Sequence, residues 1–215
     1  MPPKPKFSQE EILDAAFQLA RENGIEAVKA REVGQKLGCS SRPIFTFFSG
    51  MEDLQNAVRE KADEIFSAYL RVADDYDLTF KMRGLQMIRF AKEEPNLFQL
   101  LFMRERSPLP FETLVQTKIG NFESDIKTIQ RDYEVTEEEA VRLFTHLLLK
   151  TYSICALCAN RVCTFTEAEV LSLLGDTFAG GLMLLKSGVS ALTAKVPNKK
   201  AETANAPKIF PLPET

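Results

Sequence analysis

The chain has 215 residues, 45% of them hydrophobic and 27% charged, with a formal net charge of -3. This balance excludes a wholly disordered or fibrous chain and gives no global attraction to nucleic acid, so any such activity must come from a local arrangement. Of the 11 prolines, Pro2, Pro3, Pro5, Pro197, Pro207, Pro211 and Pro213 lie at the two ends, and a body so poor in proline, in a chain of only 10 glycines, reads as all-α.

The N-terminus, MPPKPKF, lacks the apolar stretch of a signal peptide. It reads instead as a Pro-stiffened basic arm carrying Lys4 and Lys6. Four helix starts then show one device, a Ser or Thr cap answered three residues later by Glu: Ser8 with Glu11, Ser49 with Glu52, Thr136 with Glu139, Thr166 with Glu169. In the first helix Phe7 can staple onto Ile12, and Ile12, Leu13, Ala16, Phe17 and Ala20 form one face. Gly24 ends it where a left-handed residue is needed. A short helix is expected from about Ala30 to Leu37, stopped by Gly38, and after a tight turn a third helix is expected, with Ser40 as cap and Pro43 in its first turn.

From Gly50 the apolar period runs through Leu54, Val58, Ala62, Phe66 and Ala73, predicting a strut of about 24 residues, roughly 36 Å long. Further helices are expected at about 79–93, 96–105, 111–131, 137–160 and 167–187, and an extended or disordered tail over 188–215. The domains are therefore expected at 1–50 and 51–187.

Three helices within about 48 residues, with a turn centred on Gly38 between the second and third, have the spacing of a helix-turn-helix. The stretch ILDAAFQLARENGIEAVKAREVGQKLGCSSRPIFTFFSGMEDL resembles the N-terminal DNA-binding domain of the TetR/AcrR family of bacterial regulators, over roughly residues 8 to 55. The resemblance implies a homodimer that binds a palindromic operator through two such heads. It also implies a helical body that senses a small molecule, whose binding releases the protein from DNA. Most members are repressors.

The sequence departs from the family at Lys29, where a Thr often caps the second helix, and at Phe45, where a Tyr hydroxyl usually meets a phosphate. It departs again at Phe47, commonly basic or His, and at Met51, often Lys. Each lost phosphate contact weakens binding through counterion release unless others replace it. The candidate DNA contacts are Lys4, Lys6, Arg31, Lys36, Ser40, Ser41, Arg42, Phe45, Thr46 and Phe47. Arg42 is the side chain there able to take guanine bidentately. No acid lies between Glu32 and Glu52, so the recognition segment itself repels nothing.

In the body, Met87, Phe90, Phe98, Phe102, Met103 and Tyr152 are the expected walls of an apolar effector pocket, with Tyr152 able to donate one orienting hydrogen bond. Residues 137–160 and 167–187 are the expected dimer contact, with Gly180 and Gly181 allowing two helices to approach closely. Four cysteines are too few for a disulfide scaffold and point to a reducing, cytoplasmic setting. Cys155, Cys158 and Cys163 read as small buried hydrophobes rather than a zinc or redox site, and His146 as a core or interface histidine. The apolar run Leu143 to Cys158 is broken by His146 and Lys150, short of a membrane span. One histidine and no nucleophile or phosphate-loop motif leave no enzyme, metal or cofactor to argue for. Two alternatives stay open: a small-molecule-binding helical protein with a weakened DNA head, and a helical-bundle enzyme.

Overall fold

The computed structural model describes residues 7–76, 79–104, 110, 113 and 122–187; Lys4, Lys6, most of 111–121 in the helix expected at 111–131, and the 188–215 tail lie outside them. Among the described residues there are nine α-helices and no strand: α1 Gln9–Asn23, α2 Ala30–Lys36, α3 Ile44–Phe47, α4 Met51–Arg71, α5 Thr79–Glu93, α6 Pro95–Phe102, α7 Phe122–Tyr133, α8 Glu137–Ala159 and α9 Glu167–Lys186. Two short 3-10 turns, Ile25–Ala27 and Val72–Asp75, follow α1 and α4.

The expected caps form at three starts. Ser8, Thr136 and Thr166 each accept from the backbone N–H three residues on, and Glu11, Glu139 and Glu169 accept in return from the cap residue's own N–H. At α4 the structure differs. Gly50 is the cap residue, and Ser49 instead donates its N–H and hydroxyl to Asp53 Oδ2 at 2.9 and 3.2 Å, leaving Glu52 exposed. The third helix is also shorter than expected. It begins at Ile44 after Pro43, not at Ser40, because the proline ring disfavours the helical region for Arg42, and Ser41 to Ile44 close a turn instead. Gly24 has φ 82° and ψ 165°, a positive-φ extended conformation open essentially to glycine alone, rather than a left-handed helical one. The strut helix runs 21 residues before tightening into its 3-10 end.

The core is continuous from head to body. Ile12, Ala16 and Phe17 of α1 pack with Val33 of α2, Ile44 of α3, and Leu54 and Val58 of α4, all buried. Each of these side chains larger than alanine contributes roughly 1.5 to 3 kcal/mol by leaving water. Farther along α4, Phe66 meets Phe90 of α5 and Phe102 of α6 with ring centroids 5.1 and 5.0 Å apart, carrying the core into the body. There α5 lies against α8, and α8 against α9. A Cβ on Gly84 would sit in contact with Thr151 Oγ1 at 3.4 Å, and one on Gly181 would meet Leu143 Cδ2 at 2.8 Å, so that the leucine tip would have to turn aside.

Candidate nucleic-acid interface

The turn between α2 and α3 is built by hydrogen bonding and a close backbone approach. Leu37 ends α2, Gly38 takes φ 66°, its N–H donates to Gln35 O at 3.0 Å, and Cys39 N–H donates to Gly34 O at 2.9 Å. This is the paired closure of a helix end that a left-handed glycine permits. Gly34 is required for a second reason. A Cβ there would lie 3.0 Å from Cys39 O and 3.1 Å from Ser40 C, both backbone atoms. The turn therefore folds back onto α2 across a bare backbone, fixing where α3 points.

α3 is held by its ends: Ile44 and Phe48, one turn apart, are buried in the head core, and Phe47 is half-buried against it. Arg42, Phe45 and Thr46 are left outward, with Phe45 52% exposed, while Ser40 is exposed and Ser41 half-buried in the turn. Arg31 is exposed on α2. Lys36, also exposed, makes an ion pair with Glu22 of α1 at 3.2 Å, which a phosphate would have to replace. Gln55 of α4 donates to Val28 O at 3.2 Å and ties the strut to the segment that leads into α2. The outcome is one end of the molecule where a short helix presents an arginine and a threonine beside a polar turn, with no acid among residues 33 to 51.

Residues 12–58 match the family of bacterial regulatory proteins of the tetR type. The head is a TetR-family helix-turn-helix DNA-binding domain, which supports a TetR-family transcriptional regulator. No match is found among curated proteins.

In this regulator the head is joined to the body by polar contacts as well as by α4. Arg21, in the last turn of α1, holds the buried Glu94 carboxylate with two of its nitrogens, Nε at 2.8 Å from Oε2 and Nη2 against Oε1. Asn96 of α6 donates to Arg21 O at 2.8 Å. The adjacent Glu93 accepts from Tyr69 OH of α4 at 2.6 Å and from Arg89 at 2.8 Å. Burial and the Glu93 carboxylate push the Tyr69 phenol up to about 12, so it stays a donor. The Arg89 guanidinium, and then the Tyr69 hydroxyl, hold Glu93 below the usual carboxylate range.

The six expected pocket residues form a packed cluster around α6. Met87, Phe90 and Phe98 are fully buried, Phe98 packs against Phe102 as a tilted pair with centroids 4.8 Å apart, and Tyr152 donates its hydroxyl to Phe102 O at 2.6 Å. Met103 is partly exposed and receives an Asn160 amide contact at 3.4 Å. None of the six lines the apolar cavity of about 300 Å³ found between α5, α8 and α9. Its α5 residues, Lys81, Gly84 and Leu85, face roughly the opposite side of α5 from Phe90.

Cys155 and Cys158 are buried, and burial raises both thiols, so neither supplies a thiolate near neutral pH. Cys163, expected buried, is exposed just beyond the end of α8. His146 is exposed on α8 and not in the core, in a stripe with Leu149, Ser153 and Leu157. Among the described residues no cluster of three His, Cys, Asp or Glu side chains could hold a metal.

Proposed function

We propose that this TetR-family chain is a ligand-responsive repressor that binds a palindromic operator as a homodimer and is released by a small, largely apolar effector. The observation that carries the reading is the head itself: Arg42 exposed at the start of a helix whose position is fixed by the Gly34 and Gly38 turn. Arg42 reads a base edge, while Arg31, Lys36, Ser40, Ser41 and Thr46, with Lys4 and Lys6 from the arm, hold phosphates.

Support for the dimer comes from α8 and α9. Both are long and apolar enough to cross a membrane by length and composition, yet α8 is a core helix over one face and α9 exposes Leu171, Met183 and Leu184. A second copy covers such a surface, placing two heads about one DNA turn, near 34 to 36 Å, apart. Effector binding in the body then moves α4 and changes that separation; a coupling of about 1 to 3 kcal/mol gives a 5- to 150-fold change in affinity. A regulator of this kind works in the cytoplasm, beside the DNA it reads.

An electrophoretic shift against the DNA upstream of the protein's own gene tests the reading. Specific, salt-dependent binding that Arg42→Ala weakens by about 1 to 3 kcal/mol is expected. Binding with no preference for that DNA and no effect of Arg42→Ala defeats it. The exposed Phe45, which has no hydroxyl for a phosphate, favours a second reading in which the head is weak and the body retains only ligand binding. Absence of any salt-dependent affinity for DNA would decide for it.

A further inference from the structure

The cavity between α5, α8 and α9 holds about 300 Å³ and is walled by Leu85, Leu147, Leu171, Leu174 and Phe178. Two side chains bring polarity to it, Lys81 and Thr151. Lys81 is half-buried, and its ammonium donates to Tyr133 OH at 2.8 Å and lies over three rings, Phe178, Tyr133 and Phe80, at 4.7, 5.3 and 5.6 Å from their centroids. It pairs with no acid among the described residues. The nearby carboxylates of Asp74 and Asp125 are both taken by Arg83, at 3.0 and 2.7 Å.

Ring faces attract a cation and shield it from water without neutralising it. An ammonium has three N–H donors, and the Tyr133 hydroxyl occupies one of Lys81's. A cation kept at the edge of an apolar hollow, with donors to spare and no acid paired to it among the described residues, is the complement of an anion carried on an apolar body. A charge-assisted hydrogen bond is strongest where water is sparse. A cationic ligand would be repelled by the same group. At about 30 Å³ per atom, the share of a water in the liquid, the hollow takes roughly ten non-hydrogen atoms.

Resting on the reading of this chain as ligand-responsive, we propose that this cavity is the effector site and that it takes a monocarboxylate with a hydrocarbon body, the carboxylate held by Lys81. The ligand lies between α5, whose far end carries Glu93 and the preceding Arg89, and the two helices assigned to the dimer contact. Its arrival therefore bears on both ends of the signalling path.

Calorimetric titration of the full chain with octanoate, octan-1-ol and octylamine tests the site, since the three share one hydrocarbon tail and differ in head charge. Octanoate is expected to bind about 10- to 100-fold more tightly than the alcohol, the range of a charge-assisted hydrogen bond, and the amine more weakly still. Lys81→Met removes the preference for octanoate while leaving the alcohol's affinity within about twofold, and Lys81→Arg keeps most of the preference. Gly175→Leu, at a position lining the cavity where an added Cβ meets nothing within 4 Å, blocks octanoate and octanol alike. This variant keeps the test open should Lys81→Met fail to fold.

Equal affinity for octanoate and octanol, a preference that survives in a folded Lys81→Met, or no binding of octanoate at about 1 mM would each overturn the proposal. Operator binding measured in parallel separates the two layers. Octanoate binding that depends on Lys81 but leaves operator affinity unchanged sustains the site and defeats the ligand-responsive reading. Operator binding by a chain that shows no preference for octanoate defeats this site and leaves the DNA-binding reading standing.

Discussion

Arg21 and Glu94 meet across 73 positions of sequence to join the last turn of α1 to the start of α6, a half-exposed guanidinium closing over a buried carboxylate. Removing Arg21 leaves that carboxylate buried without its partner. Because water already screens the arginine, Arg21→Ala is expected to lower unfolding stability by about 1 to 2 kcal/mol, below the roughly 3 to 5 of a fully buried pair. In urea titration, Arg21→Ala combined with Glu94→Gln should cost less than the two single changes summed. Strict additivity would show that the pair contributes nothing of its own.

Gly34→Ala presses a methyl group against Cys39 O and Ser40 C, atoms that cannot rotate away. The turn has to shift, with an expected loss of about 1 to 3 kcal/mol of stability. Operator affinity should fall further than stability does, because α3 moves with the turn. A variant of unchanged melting temperature and operator affinity would mean that the turn relaxes freely.

Phe45 presents a bare ring edge to solvent, and Phe45→Tyr adds a hydroxyl without altering the packing of α3. A new hydrogen bond to a phosphate contributes about 0.5 to 1.5 kcal/mol, so affinity for operator should rise between two- and tenfold. Band-shift titrations of both proteins on one DNA at fixed salt measure it. A weaker Phe45→Tyr complex would place position 45 away from the backbone.

Met183 is 73% exposed and Leu171 is 50% exposed on α9, the helix with the smallest buried share among the long helices of the body. Light scattering is expected to give twice the chain mass for the unaltered protein, and one chain mass for Leu171→Glu combined with Met183→Glu. A monomer before any substitution would refute the assignment of these faces.

At low pH the caps of α8 and α9 should weaken. Backbone and side-chain hydrogen bonds from Thr136 and Thr166 hold Glu139 and Glu169 below the ordinary carboxylate pKa. Their contribution is therefore complete above the unfolded value of about 4.3 and is lost as pH falls through the lower folded value. From about pH 6 to about pH 3 the unaltered protein should lose more melting temperature than Glu139→Gln with Glu169→Gln. Parallel curves would assign the acid loss elsewhere.

Local chemistry in the sequence identifies local structure. The Ser8, Thr136 and Thr166 caps and the Gly38 stop can be read because each device occupies three or four consecutive residues. The start of α4 misleads because Ser49 finds Asp53 one residue beyond the expected Glu52. The Lys81 cage is invisible in sequence, since Phe80, Tyr133 and Phe178 come from α5, α7 and α9. Aromatic spacing picks out Phe90 and Phe98 as buried, but spacing carries no information on whether a buried ring fills space or borders a void. Gly34 could have been found: a glycine three residues before a helix end that already has its own terminating glycine needs another reason to be there.

Glu93 and Glu94 are neighbours in sequence, yet one grips Tyr69 on α4 and the other Arg21 on α1. A body attached at one point can swivel about it; attached at two points on different helices, it loses that rotation. The regulator's head is thus geared to the α5–α6 joint. On the proposed reading, a displacement there would tilt the reading surface as a whole rather than turn it about a single hinge.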